Sequence, residues 1–230
     1  MKILFILGMH RSGTSCLARC LKEMGTNFFI PKCEDGYFPK HIEYFQINQL
    51  NDAILTSWKN PIVKKNFLFV KYHEWKVGRF LQKNIFSDTI VGIKDPRILL
   101  CFNYWAEHIQ QFKIISIFRR PEEVALSLEV RDEYGKTSFQ KALQLWSLYN
   151  EQLVILHDRY QFPLLDFNLN KNDFGLCLSR ACTELQIPFK VDVFNDIFLE
   201  KKRHHSSDNI PKDCRSIYKS LKKRSMLIEY

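Results

Sequence analysis

Apolar residues follow two rhythms along this chain of 230 residues. One is a set of short runs: ILFIL at 3–7, TIVGI at 89–93, KIISIF at 113–118 and PLLDF at 163–167. Runs this short, rich in Ile and ended by Gly or by charge, predict strands buried on both faces. The other rhythm repeats every three or four residues. Leu17, Cys20, Leu21 and Met24 share one stripe of a predicted helix over 13–24, and Gly25 supplies its stop. Ile47, Leu50 and Ile54 mark a second helix over 42–56. Further helices are expected at 72–83, after Arg97, over 138–158 and at about 171–185. Another opens at Pro121, with Glu122 and Glu123 in its first turn, and runs to about Arg131.

Strands that alternate with helices predict an α/β fold: a mainly parallel central sheet with helices on both faces. No internal repeat, low-complexity segment or linker interrupts the pattern. The expectation is a single domain over 1–230, with a basic, irregular part at about 190–230 that contains KKRHH and KSLKKR.

Composition narrows the partners only a little. The hydrophobic fraction of 46% is that of an ordinary globular chain. A net charge of +9 suits an anionic partner, whether a nucleotide, an acidic polymer or a membrane surface met peripherally, and does not choose among them. The aromatics are not interleaved with cations as a single-strand nucleic-acid surface would require, so no specific nucleic acid is expected. The seven cysteines are odd in number and include no C-x-x-C, which reads as reduced thiols in a cytoplasmic protein. Cys16 and Cys20 stand at helical i,i+4 spacing without a His or Cys partner set, so no metal is expected. The run behind Lys2 is broken at His10-Arg11 and is too short for a signal peptide. No run approaches the roughly 18 apolar residues of a membrane span.

The chemistry concentrates where the strands end. LGMHRSGTS (7–15) has the spacing of a phosphate-binding loop, G-x-x-x-x-G-K-[ST], between a strand and a helix. Gly8, Gly13 and Ser15 are in place, Thr14 replaces the lysine, and Arg11 brings a cation earlier in the loop. Backbone N–H groups at a helix start favour an anion, and Ser12, Thr14 and Ser15 add hydroxyls. In nucleotide triphosphatases the lysine spans the phosphates and the hydroxyl holds magnesium. A sulfuryl group carries one formal charge where a terminal phosphoryl carries about two, so it needs less neutralisation, and a loop of hydroxyls, backbone donors and one arginine could serve it without a metal. A second strand ends at Arg119, and Ser127 lies on the same face of the next helix as Glu123 and Arg131. Arginine and hydroxyl can grip a second phosphate from two directions. Lys94, Asp95 and Arg97 close a third strand, as an internal ion pair or as groups that orient an acceptor. In sheets of this class, ligands bind beyond the carboxyl ends of the strands.

Arg11-Ser12-Gly13-Thr14-Ser15 after the first strand, together with Arg119 and Ser127 in RRPEEVALS, resembles the sulfotransferase pattern. VGIKDPR, Arg131, Trp146 and FLEKKRHH resemble its bacterial, carbohydrate-type branch. The resemblance implies a P-loop-NTPase-like sulfotransferase fold and the donor 3′-phosphoadenosine 5′-phosphosulfate. Its 5′-phosphosulfate would lie on Arg11–Ser15 and its 3′-phosphate on Arg119 and Ser127. Arg120 stands where the family often has Asn or Asp, and the eight-residue spacing favours Arg119 as the phosphate ligand. LNDAIL from Leu50 places Glu43 at the family's spacing for the general base, with His41 the alternative. A hydroxyl of a saccharide or other small molecule is the implied acceptor. Two rivals stay open: a loop enzyme that transfers phosphoryl groups, and a non-catalytic protein that binds a nucleotide or other anion.

Overall fold

A computed structural model of the chain describes residues 2–28, 43–55, 67–84, 90–131, 137–198 and 210–226. The strands are β1 (Lys2–Leu7), β2 (Ile90–Lys94), β3 (Phe112–Phe118) and β4 (Leu164–Asp166). All pair in parallel, in the order β2-β1-β3-β4. The chain leaves β1 for one neighbour and later returns to its other side. The sheet therefore reverses direction at β1, which is where a ligand crevice forms in such folds. Register brings Ile6 beside Lys94 and Phe118 beside Asp166. The ends of all the strands thus share one edge.

The helices among the described residues are α1 (Thr14–Glu23), α2 (Phe45–Ile54), α3 (Phe67–Asn84), α4 (Phe102–His108), α5 (Pro121–Arg131), α6 (Phe139–Tyr160), α7 (Lys171–Leu185), α8 (Val191–Ile197) and α9 (Arg215–Arg224). A 3-10 turn over Pro96–Leu100 joins β2 to α4. Alternate residues of each strand enter different cores. Ile3, Phe5 and Leu7 of β1 pack with Ile93, Ile114 and Phe118 against α2, α4, α5 and α6, where Trp105, Trp146 and Tyr149 are wholly buried. Leu4, Ile6, Ile115, Ile117 and Leu165 pack on the other face against Leu17 and Leu21 of α1 and Phe174 and Leu178 of α7. Strands covered on both faces explain why their sequences read as continuous apolar runs rather than alternating ones.

One expectation fails. The chain from about 190 is not irregular throughout, because α8 and α9 lie within it. Phe194 of α8 and Phe198 beyond it stack on Phe174 of α7. Leu221 of α9 is fully buried, with Ile217 and Tyr218 packed beside it. The cations of RSIYKSLKKR mask a narrow apolar stripe at i, i+1 and i+4 that suffices to dock the helix. The segment KKRHH lies outside the described residues.

Candidate active site

The loop after β1 is shaped by backbone that only some residues adopt. Gly8 has φ 152° and Gly13 φ 96°. A Cβ on Gly8 would stand 2.5 Å from the Ile117 carbonyl oxygen, and one on Gly13 2.7 Å from the Phe167 ring. Both positions therefore need glycine on conformational and steric grounds. Arg11 is also left-handed, at φ 67°. A non-glycine residue held there costs about 1–3 kcal/mol, which its surroundings must offset. Part of the compensation is visible: Arg11 Nε donates to Ser127 Oγ at 2.8 Å. No side chain caps α1 at Gly13, so the first N–H groups of the helix have no intrahelical partners. The Ser12 hydroxyl is fully buried and makes no hydrogen bond to a described residue.

β2 brings a cation to the same place. Lys94 is the last strand residue, and its side chain is only 3% exposed. Its ammonium lies 2.5 Å from Glu43 Oε1 and donates to Ser15 Oγ at 3.3 Å. Asn48 Nδ2 donates to the other Glu43 oxygen at 3.4 Å. Glu43 sits just ahead of α2, so Lys94 joins the start of that helix to the start of α1.

The next two charged residues turn elsewhere. Asp95 is fully buried; it caps the 3-10 turn through the Arg97 N–H and takes the Arg97 guanidinium at 2.8 Å. Arg97 also reaches Asp52 on α2. Asn51 of α2 donates to Asp95 Oδ2 at 2.9 Å and accepts from the Trp105 indole at 2.9 Å. Burial works to raise the Asp95 carboxyl, but the Arg97 charge and the hydrogen bonds from Arg97 and Asn51 outweigh it, so its pKa lies below the ordinary carboxylate value. Asp95 and Arg97 thus form an internal pair that locks α2 to β2.

His10 of the loop packs edge-on against Tyr149, with ring centroids 6.0 Å apart. Burial holds its imidazole pKa down to about 4, against Asp95 and Glu43, which raise it. The ring is therefore neutral at pH 7.

β3 delivers the third element. Glu123 Oε2 receives Arg119 through Nε and NH2, each at 2.6 Å. NH1 of the same guanidinium reaches the Arg11 carbonyl oxygen at 3.5 Å. The Arg119 carbonyl accepts the Trp146 indole N–H at 2.9 Å. Arg120 instead pairs with Glu122 at 2.5 Å. Arg119 is thus the arginine of this pair joined to the loop.

The structure brings six of the predicted site residues into two bonded sets, Arg11 with Ser127 and Arg119 and Lys94 with Ser15 and Glu43, joined through the loop by Ser12, Gly13 and Thr14. His41 lies outside the described residues, and nothing is described of the Arg131 side chain. Sequence reasoning missed Asn48, Asn168 and the role of Asn51. Uncharged amides carry no motif; only their contacts in the fold expose them. Among the described residues, no group of three or more His, Cys, Asp or Glu side chains is placed to hold a metal ion, and no helix is long and apolar enough to cross a membrane.

The fold is that of solved sulfotransferase domains. The sulfotransferase domain from the Synechococcus PCC 7002 olefin synthase aligns over 100% of this chain and 90% of its own length, with TM-score 0.57 and 18% identity. The sulfotransferase domain from the curacin biosynthetic pathway aligns over 87% of this chain and 78% of its own, with TM-score 0.53 and 18% identity. No protein-family model and no curated protein sequence matches the chain.

Proposed function

We propose that the chain is a sulfotransferase that moves a sulfuryl group from 3′-phosphoadenosine 5′-phosphosulfate to a hydroxyl of a small molecule, a saccharide by resemblance. The observation that carries this reading is the meeting of the strand ends. Arg11 joins the loop to Ser127, and Lys94 joins Ser15 of that loop to Glu43. The 18%-identical sulfotransferase domains share the fold that produces this meeting.

The residues present fit the donor. The uncapped start of α1 and the orphan Ser12 hydroxyl offer hydrogen bonds to anionic oxygens. A buried hydroxyl without a partner costs about 1–3 kcal/mol, and an anion there relieves it. Arg11, Arg119 and Ser127 hold the phosphates. Glu43 takes the proton of the acceptor hydroxyl as its oxygen attacks sulfur in line. The bond from sulfur to the 5′-phosphate oxygen breaks, and adenosine 3′,5′-bisphosphate leaves. Lys94, which reaches Ser15 of a loop that has no lysine of its own, stabilises the charge that shifts onto those oxygens, a preorganised electrostatic contribution. Asp95 and Arg97 hold α2, and with it Glu43, rather than meeting the acceptor.

The test is transfer of sulfur-35 from labelled donor to a panel of hydroxyl acceptors that includes saccharides, with and without chelator. Label should reach an acceptor and survive chelation. Magnesium-dependent transfer of phosphorus from labelled ATP, with no sulfur transfer, would instead identify a phosphotransferase.

A further inference from the structure

The turn that ends β4 belongs to no motif, yet it is bonded to the arginine grip. Phe167 N–H donates to the Phe118 carbonyl at 2.9 Å, which continues the ladder past the last strand residue. Asp166 is buried; Oδ1 accepts the Asn168 N–H and Oδ2 receives the Lys222 ammonium of α9, both at 2.8 Å. The Asn168 amide then works in two directions. Its oxygen accepts the Arg120 N–H at 2.8 Å, and its nitrogen donates to Glu123 Oε1 at 2.8 Å. The other Glu123 oxygen holds Arg119. The Phe167 ring lies under the Arg119 guanidinium, 5.7 Å from its central carbon, and against Gly13.

From this relay we infer that Asn168 is a positioning residue for Arg119, acting through Glu123, so that the β4 turn sets the affinity for the donor's 3′-phosphate. The inference rests on the assignment of that phosphate to Arg119. A carboxylate free to rotate holds an arginine in many orientations. Glu123 is fixed at both oxygens, one by Asn168 and one by Arg119, so the guanidinium is left with one direction, toward Arg11. The Asp166–Lys222 pair fixes the turn in its place and links α9 to the site.

The measurement is calorimetric affinity for adenosine 3′,5′-bisphosphate and for adenosine 5′-monophosphate in the full chain. Their ratio reads the 3′-phosphate grip alone; damage to the fold weakens both ligands together and leaves the ratio in place. Asn168→Ala should lower the ratio about tenfold, in the range seen for coupled neighbours. Asn168→Asp keeps the acceptor for the Arg120 N–H but sets a carboxylate against Glu123, so it should lower the ratio as much. Combined with Arg119→Ala, either change should add nothing further. A wild-type ratio in Asn168→Asp reduces the residue to a backbone staple and overturns the inference. A wild-type ratio in Arg119→Ala overturns the phosphate assignment itself. If Arg119→Ala lowers the ratio and both Asn168 variants leave it alone, only the relay fails.

Discussion

In the proposed reaction, Glu43 and Lys94 divide one task that neither performs alone. The ammonium is almost wholly buried and has the carboxylate at 2.5 Å. Glu43→Gln keeps the size and the contact to Asn48 but cannot take a proton. Donor affinity should be retained and kcat should fall about 10²–10⁴-fold, the usual worth of a general base; full activity in steady-state assays would move the base elsewhere, His41 first. Arg11 answers a different question. Its guanidinium replaces the loop lysine in charge and also ties the loop to Ser127. Arg11→Ala should weaken adenosine 3′,5′-bisphosphate about 10–100-fold by calorimetry, since hydrogen bonds to charged groups are worth about 1.5–3 kcal/mol. That Arg11, Ser15, Arg119 and Ser127 lie near one another was legible, because their spacing and their place at strand ends carry the signal. Asn168 was not, because asparagine is among the common turn residues and one after a strand draws no notice.

Elements are held to one another by polar contacts as well as by the apolar cores. α2 docks on β2 through Asn51, which is fully buried and serves Asp95 and Trp105 at once. Asn51→Ala leaves an indole N–H without an acceptor and the Asp95 carboxylate one donor short. Unfolding in urea should show a loss of about 2–6 kcal/mol, at about 1–3 kcal/mol for each of the two buried groups left unsatisfied. A smaller loss would mean that water or a rearranged Arg97 takes over. The helices and strands themselves were readable from periodicity, with errors at the ends. The strand expected to end at Ile93 continues through Lys94, and that single step puts Lys94 inside the sheet edge rather than in a turn. The helix expected from 72 begins at Phe67. α8 and α9 were missed because helices whose apolar stripe is one or two residues wide look like solvated charge.

For the molecule as a whole, buried histidines make acid the vulnerable direction. Burial holds the His10 pKa at about 4 against an ordinary 6.5, and burial also lowers His73 and His157. Below pH 6.5 the unfolded chain binds protons that the folded chain refuses. The contribution of the lowered histidines to stability is therefore fully present above pH 6.5 and is lost as pH drops, for His10 toward about 4. His10 alone accounts for about 3 kcal/mol over that interval. Asp95, whose carboxyl is held low, adds a further loss below its ordinary value of 3.8. Urea midpoints measured from pH 7.5 to 4 should show this slope, and His10→Gln should flatten it. An unchanged slope in that variant would show that His10 is protonated in the folded chain.

Local rules of the chain were enough for the α/β class, the parallel sheet and the loop between β1 and α1, because periodicity, glycine and charge at strand ends act over a few residues. Which charges meet was decided only by the packed molecule. Glu43 and Lys94 are 51 residues apart, and Arg11 and Ser127 are 116. Nothing in their spacing sends Lys94 to Glu43 while Arg97 is spent on Asp95 and Asp52. That choice follows from the order β2-β1-β3-β4 and from cores that fix where each strand end stops. Long-range order of this kind is a property of layers packed on one another, and no window of sequence contains it.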